Sequence, residues 1–185
     1  ARWQPASLPD PLTGTAAIDR VVDGARRAAA AWSATTPQQR RTLLRTVADQ
    51  LAISRPALMA VMAHEACKVL AEGDSEVCEA VDLAAYYAEH IPGLGRPHEA
   101  EARFEPRGVV LVTPPWNFPL AIPAGGVLAA LAAGNAVVLK APPQTPQCSY
   151  AVAEAVWEAC RTCSVPPEIL QYVQCPEEEI GRAHV

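Results

Sequence analysis

The sequence has few of the features that mark nucleic-acid-binding or membrane proteins. Its 185 residues include only two lysines, and the formal net charge is -5. No basic cluster with interleaved aromatic residues occurs, so we expect no nucleic-acid partner. The longest apolar stretch, 120–139, is interrupted by proline, glycine and asparagine, and we expect no membrane span. The N-terminal residues lack the basic start and apolar run of a signal peptide, which predicts a cytoplasmic protein.

Several catalytic and phosphate-binding motifs are also missing. The chain has no GxGxxG after a strand, no GxxxxGK followed by serine or threonine, and no GxSxG. His64 and Glu65 do not begin an HExxH zinc motif, because residues 64–68 read HEACK and the second histidine is replaced by Lys68. Gly125 and Gly126 lie inside a predicted helix, where close packing is the favoured role.

The six cysteines predict free thiols in a reducing compartment, because the chain is long and has no secretion signal. Cys160 and Cys163 form one CxxC pair, whereas a structural zinc site needs four ligands. Cys175 and His184 would bring the number of ligands to four, but packed or surface thiols are the favoured interpretation, so we predict no metal. Cys148 falls in the first turn of a helix, where the helix dipole lowers a thiol pKa, but packing is the favoured interpretation.

Hydrophobic periodicity predicts that the first half of the chain is a helical layer. Four helices are expected. The first covers residues 16–34, and the second starts at the capping sequence of Thr36. The third and fourth cover residues 55–68 and 74–90. Residues 91–97, rich in proline and glycine, end this layer.

The second half alternates strands and helices. Strands are expected within 103–112, at 136–139 and at 168–173, and helices at 120–133, 145–162 and 177–183. This order predicts an α/β fold with a parallel, Rossmann-like βαβαβ sheet. The apolar run 109–112 is typical of a strand covered on both faces. The chain ends within the alternation, which leaves an exposed strand edge and predicts an incomplete fold.

Two polar residues follow predicted strands at the edge where α/β proteins bind ligands. Asn117 lies between prolines that stiffen the turn, so it can present a fixed N–H donor to an oxyanion, although it can also simply cap the turn. Lys140 ends the next strand, where it can donate to ribose hydroxyls or phosphates, or be an ordinary solvated lysine.

Three segments together resemble the aldehyde dehydrogenase superfamily. Residues 115–119 read PWNFP, residues 131–140 read LAAGNAVVLK, and residues 144–146 read QTP. The resemblance extends from about Pro9 to the last residue. It implies that a cysteine thiolate attacks an aldehyde, hydride passes to NAD or NADP, and water hydrolyses the thioester.

The resemblance also implies residue roles. Asn117 would be the oxyanion-hole amide and Lys140 would bind the adenosine ribose. The backbone of Thr113, Pro114, Pro115 and Trp116 would line the nicotinamide side of the cofactor groove. Pro143 stands where many members have a glutamate that accepts ribose hydroxyls and repels a 2′-phosphate, so we predict looser discrimination between NAD and NADP.

The parts of the chain can be assigned on the same basis. Residues 1–98 would form the helical part of the cofactor domain, 99–110 an oligomerisation hairpin, and 109–185 the first half of the cofactor-binding sheet. No cysteine here has the context of the family's nucleophile, so the catalytic domain would lie further along, and this chain alone would be inactive. The hairpin implies a homo-oligomer.

The segments 76–82 and 86–88 are similar to the glutamate γ-semialdehyde dehydrogenases of proline catabolism, which are often fused to a proline dehydrogenase. Glu79 would then face the substrate, although it also fits a solvated helix face. Cys67 and Cys78 stand where small residues such as glycine and serine are expected. Two other hypotheses stay open: an enzyme for another aliphatic aldehyde, and a non-catalytic domain that binds a nucleotide or partner protein.

Overall fold

The computed structural model describes residues 4–91 and 104–176. Four helices occupy the first half: α1 (Thr15–Ser33), α2 (Pro37–Ile53), α3 (Arg55–Glu65) and α4 (Leu70–His90). The second half follows the order β1 (Val109–Val112), α5 (Ala121–Ala132), β2 (Ala136–Lys140), α6 (Pro146–Cys163), a 3-10 turn (Pro167–Ile169) and β3 (Leu170–Val173). The alternation predicted from the sequence is therefore confirmed over the described residues.

The three strands form one parallel sheet in the order β1-β2-β3. Val112 pairs with Leu139, and Lys140 pairs with Val173, so the carboxyl ends of the strands meet at one edge. Helix α1 packs on one face of the sheet, against Ala136 and Val138. Helices α5 and α6 cover the other face, and α2, α3 and α4 pack behind them. The prediction of one helical layer in the first half is therefore wrong for α1, which packs on the opposite face of the sheet. From here on the helical layer means α2–α4.

The start of α2 shows why sequence cues locate helix ends. Thr36 Oγ1 accepts a hydrogen bond from Gln39 N at 3.2 Å, and Gln39 Oε1 accepts one from Thr36 N at 2.8 Å. This reciprocal capping box satisfies two backbone donors that the helix leaves unpaired. The predicted start of α2 is confirmed.

The junction between α3 and α4 differs from the prediction. Helix α3 ends at Glu65 rather than residue 68, and α4 begins at Leu70 rather than residue 74. Cys67 adopts φ 54°, and Lys68 N donates to Met62 O at 3.3 Å, which closes α3 with a left-handed cap. Glycine adopts this conformation more readily than cysteine, since a β-carbon there costs free energy.

Helices cover both faces of β1, as its apolar run predicts: Val109 and Leu111 pack with the cluster that includes α1, and Val110 and Val112 pack with the core that includes α5. The strand is nevertheless less buried than β2. All four residues of β1 are half-buried, whereas all five of β2 are buried. The reason is position: β1 lies at an edge of the sheet with β2 as its neighbour, while β2 is central. Residues 104–108 form no strand, because Pro106 lacks an N–H and Gly108 adopts φ 97°.

Two predictions fall partly or wholly outside the described residues. The oligomerisation hairpin is expected at 99–110, of which 99–103 lie outside the described residues. The helix expected at 177–183 lies outside them entirely. In the part that is described, no helix has the length and apolar character that a bilayer crossing requires.

Candidate functional site

The candidate site lies at the carboxyl edge of β1 and β2, where open α/β sheets bind ligands. Residues 113–119 follow β1 directly and form a turn before α5, and Lys140 is the last residue of β2. Because Val112 pairs with Leu139, the first residue of this turn and Lys140 occupy neighbouring positions on the same edge of the sheet.

The turn is anchored by buried prolines and exposes its polar residue. Pro114 and Pro119 are buried, whereas Thr113, Pro115, Trp116, Asn117 and Phe118 are exposed. Within the part of the chain that the structure describes, the Asn117 amide has no hydrogen-bond partner. The amide therefore does not cap the turn, and its N–H donors stay available to a ligand.

A carboxylate of the helical layer holds the end of this turn. Glu76 of α4 is only 3% exposed, and its Oε2 accepts hydrogen bonds from Leu120 N at 3.1 Å and Ala121 N at 3.2 Å. These are the first backbone donors of α5, and Leu120, the residue before the helix, has no side-chain oxygen with which to cap it. The negative charge also lies at the positive end of the helix dipole.

Lys68 links that carboxylate to the turn itself. Its Nζ lies 2.9 Å from Glu76 Oε1 in an ion pair without the angles of a hydrogen bond, and its side chain is 15% exposed. The same ammonium lies 4.5 Å from the centroid of the Phe118 ring, a cation–π distance. Glu76 and Lys68 thus contact the residues that immediately follow Asn117.

This capping closes one site that many dinucleotide-binding proteins use. In the usual arrangement, the helix after the first strand binds pyrophosphate at its N-terminus. Here the carboxylate of Glu76 already occupies the corresponding donors of α5. A phosphate at this helix end would therefore meet a carboxylate instead of free N–H donors.

Lys140 fits a ribose or phosphate ligand. It is 5% exposed at the end of β2, and none of the described residues offers its ammonium a hydrogen bond or an ion pair. The Nζ atom is not among the fully buried polar atoms, so it keeps contact with solvent at the edge of the sheet and can donate to a ligand such as a ribose hydroxyl. Pro143 is exposed and has no side-chain acceptor, so it cannot reproduce the ribose contacts of a carboxylate.

A second glutamate caps α6. Glu65 Oε1 accepts from Gln147 N and Oε2 accepts from Cys148 N, both at 2.8 Å. Cys148 is fully buried, and this burial together with the charge of Glu65 raises the pKa of its thiol. The thiol is therefore a packed side chain, as favoured from the sequence, and not an activated nucleophile.

The CxxC pair is not arranged as a metal site. Burial raises the pKa of Cys160 to about 12, and Cys163 Sγ lies 3.4 Å from Thr46 Oγ1. Among the described residues, no three His, Cys, Asp or Glu side chains are grouped to hold an ion. His184, the fourth ligand considered, lies outside the described residues.

Glu79 lies apart from the contacts that hold the turn. It is exposed on α4, in a shallow groove also lined by Asp74, Cys78, Asp82 and Tyr86. Its role toward a substrate stays a prediction.

Sequence reasoning missed Glu76 and Lys68. The cue was present, because α4 buries Gly73, Val77, Ala80 and Ala84 at helical spacing, and Glu76 falls within that apolar stripe. A carboxylate in a buried stripe needs a partner, and Lys68 is one of only two lysines in the sequence.

Comparison with known proteins places this arrangement in a family. Residues 10–185 match the aldehyde dehydrogenase family. The chain belongs to that family. Aldehyde dehydrogenases are oxidoreductases, and the match includes the turn 113–119 and Lys140.

Several aldehyde dehydrogenases resemble this chain. The bifunctional protein PutA of Klebsiella aerogenes is 36% identical over 91% of this chain. A 1-pyrroline-5-carboxylate dehydrogenase of Geobacillus sp. (strain WCH70) is 36% identical over 81% of it. A putative succinate-semialdehyde dehydrogenase [NADP(+)] of Mycobacterium ulcerans (strain Agy99) is 34% identical over 94%.

Solved structures share the fold. Proline utilization A (PutA) from Bdellovibrio bacteriovorus matches 93% of this chain with a TM-score of 0.85 and 31% identity, and the match covers 18% of that chain. The 1-pyrroline-5-carboxylate dehydrogenase from Thermus with bound NAD matches 91% with a TM-score of 0.83 and 26% identity, over 34% of that chain.

The chain is shorter than these relatives. It spans 12% of the length of the Klebsiella PutA, 30% of the Geobacillus enzyme and 36% of the Mycobacterium enzyme.

Proposed function

We propose that this chain supplies the oxyanion-binding turn and part of the cofactor site of an NAD(P)-dependent aldehyde dehydrogenase that converts L-glutamate γ-semialdehyde to glutamate in proline catabolism. The observation that carries the proposal is the Asn117 side chain, exposed and without a partner among the described residues, on a turn anchored by buried prolines. The names of the relatives support the substrate, since PutA and 1-pyrroline-5-carboxylate dehydrogenases are similar over most of the chain.

Asn117 would stabilise the oxyanion that forms when a thiolate adds to the aldehyde carbon. A fixed amide donor is worth about 3–4 kcal/mol of barrier, because it needs no reorganisation during the reaction. The two buried prolines, Pro114 and Pro119, restrict the turn and so preserve the direction of that donor. The proposal takes the thiolate from polypeptide outside these residues, as the family resemblance implies. Two of the thiols present, Cys148 and Cys160, are buried with raised pKa values and are unsuited to the role.

Lys140 and the backbone of residues 113–116 would hold NAD or NADP, which accepts hydride when bound. The ammonium of Lys140 would donate to the adenosine ribose. Pro143 offers no carboxylate to repel a 2′-phosphate, so we propose weak discrimination between the two cofactors. Glu79 would face the substrate.

The test is NAD(P)H formation by the protein expressed from its complete gene. With L-glutamate γ-semialdehyde and NAD, Asn117→Ala should lower kcat by about 10²- to 10³-fold. Asn117→Asp should lower it at least as much, because the new charge repels the oxyanion. Wild-type activity together with an undiminished kcat in both variants would refute the role of Asn117.

The cofactor assignment has a separate test. Lys140→Met should raise KM for NAD with a smaller change in kcat, because it removes a contact made equally in the ground and transition states. Pro143→Glu should increase the ratio of kcat/KM for NAD to that for NADP, since a carboxylate accepts ribose hydroxyls. An unchanged ratio, or a strong NAD preference in the wild-type enzyme, would contradict the cofactor proposal.

A second candidate is oxidation of another aliphatic aldehyde, supported by the similarity to the putative succinate-semialdehyde dehydrogenase. The ratio of kcat/KM for glutamate γ-semialdehyde to that for succinate semialdehyde separates the two. A domain that binds a nucleotide or partner protein without catalysis would show cofactor binding and no turnover with either aldehyde.

The assembly is also proposed. We expect a cytoplasmic homo-oligomer, fused to or paired with a proline dehydrogenase as the similarity to PutA suggests. Mass measurement of the native complex, followed by a proline oxidation assay, tests this expectation.

A further inference from the structure

Lys68 and Glu76 both contact residues of the candidate oxyanion turn or of the helix start that follows it. Glu76 Oε2 takes both backbone donors at Leu120 and Ala121, three and four residues beyond Asn117. Lys68 Nζ is shared between Glu76 Oε1 at 2.9 Å and the face of Phe118 at 4.5 Å from its centroid. Phe118 itself is 45% exposed, so the cation lies over a ring that is not fixed by burial alone.

We propose that Lys68 and Glu76 are positioning residues for Asn117: the buried ion pair fixes the exit of the turn and thereby the direction of the Asn117 amide. The inference rests on the proposed function of Asn117 as the oxyanion donor. Neither residue touches the reacting atoms in this proposal. Both act through the residues that follow Asn117.

The geometry explains why two groups are needed. Hydrogen bonds from Leu120 and Ala121 fix the start of α5 but leave the Phe118 side chain free to turn. The cation over Phe118 restrains that ring, and its ion pair with Glu76 ties the ring to the same anchor. Asn117 therefore precedes a segment that is held at two successive points.

Glu76 is buried and Lys68 is mostly shielded from water, which limits the freedom of the ion pair. At 3% and 15% side-chain exposure, neither charge is well solvated, and water competes poorly for the contact. Removing one partner leaves the other as an uncompensated charge. The pair is thus suited to keeping one conformation of the turn, and small displacements of a catalytic group are costly, since a misplacement of about 1 Å can lower the rate by about 10²-fold.

The test is a double-mutant analysis in the protein expressed from its complete gene, at saturating cofactor. Glu76→Ala should lower kcat by about 10- to 100-fold with KM for the aldehyde within about twofold of wild type. In an Asn117→Ala background, Glu76→Ala should cost less than about twofold more, because the residue acts through Asn117. A merely structural role would give losses that multiply.

Conservative variants guard against loss of folding. Glu76→Gln keeps one acceptor oxygen for the two amides but loses the ion pair, so its kcat should lie between those of wild type and Glu76→Ala. Lys68→Met leaves the cap on α5 intact and should give a smaller loss, which Lys68→Arg should recover by restoring a cation over Phe118.

Glu65→Ala is the matched control. Glu65 also accepts two backbone donors at a helix N-terminus, but it caps α6 rather than the helix that follows Asn117. This variant should lose comparable stability in urea unfolding while keeping wild-type kcat at saturating cofactor. Equal kcat losses in Glu65→Ala and Glu76→Ala would overturn the positioning role.

The remaining outcomes separate this inference from the proposed function. An expressed protein with no aldehyde oxidation would overturn both. A wild-type kcat in Asn117→Ala would remove the oxyanion role and the positioning role with it. A low kcat in Asn117→Ala, combined with an unchanged kcat in Glu76→Ala or with multiplying losses, would overturn the positioning role alone and leave the proposed function standing.

Discussion

Gly126 of α5 lies so close to Val112 of β1 that a β-carbon on Gly126 would come within 2.9 Å of Val112 Cγ1. Val112 is the last residue of β1, and Gly126 lies in the second helical turn of α5. The contact therefore connects the two elements that flank the segment carrying Asn117. The close packing that the sequence suggested for this glycine is therefore present.

Gly126→Ala should destabilise the protein by about 1–3 kcal/mol, because the β-branched Val112 has little freedom to move aside. The measurement is urea unfolding followed by circular dichroism. Gly24→Ala in α1 is the control, since the nearest atom to its new β-carbon would be Arg27 Nη2 at 3.9 Å. That variant should instead gain about 0.5–1 kcal/mol from the loss of a helix-interior glycine.

Cys67→Gly should stabilise the protein by about 0.5–1 kcal/mol. Cys67 adopts φ 54°, which costs about 1–2 kcal/mol for a residue with a β-carbon, and part of the gain is offset by the flexibility of glycine in the unfolded chain. The shift in the urea midpoint measures it. Cys67→Ala removes the thiol but keeps the β-carbon, so an equal gain in that variant would contradict the backbone explanation.

Asn135→Ala should cost about 1–3 kcal/mol in the free energy of unfolding. Asn135 is buried, its Oδ1 accepts from Gly108 N at 3.0 Å, and its Nδ2 donates to Ala130 O at 3.2 Å. Removing the side chain leaves the Gly108 donor, just before β1, without this partner. Asn135→Asp keeps an acceptor for Gly108 but buries a carboxylate against Ala130 O, so it should destabilise the protein as well. An unchanged free energy of unfolding in Asn135→Ala would contradict the role of both contacts.

Stability should fall as the pH rises from about 9 to about 12. Burial raises the pKa of Cys160 from its ordinary 9.0 to about 12, and it also raises the pKa of Cys148. In this window the unfolded thiols lose protons that the folded thiols keep, so deprotonation favours the unfolded state. Urea midpoints at pH 8 and pH 11 measure the fall.

Thiol variants identify the source of that fall. Cys160→Ala should show a smaller decline between pH 8 and pH 11 than the wild-type protein. Cys78→Ala, which removes an exposed thiol, should decline as the wild type does. A decline in Cys160→Ala as steep as in the wild type would assign the effect to other groups, such as Tyr172, whose pKa burial also raises.

Local cues in the sequence predicted most of the fold. The capping box at Thr36 fixed the start of α2, and the glycine at 134, with φ 83°, ended α5 within one residue of its expected limit. The boundary between α3 and α4 could not be predicted, because a cysteine at position 67 gives no indication of a left-handed conformation. The half-burial of β1 also escaped prediction, since an apolar run does not tell which strand lies at the edge.

Some residues of the candidate site could be predicted from the sequence and others could not. Asn117 and Lys140 were predicted because their types and their places after strands carry recognisable chemistry. Glu76 and Lys68 were not, because their importance comes from a contact between elements more than forty positions apart in the chain, as between Glu76 and Leu120. Such pairings depend on how helices pack, which local patterns do not specify.

The two glutamate caps make the helical layer and the sheet interdependent. Glu65 and Glu76 each lend a carboxylate to a helix of the other half, and neither α5 nor α6 has a side-chain cap of its own. A polypeptide ending at residue 91 would keep two glutamates without their amide donors, and one beginning at residue 104 would keep two helices with bare N-termini. We therefore expect the halves to melt in a single cooperative transition, and to regain order as separate peptides only by complementing each other.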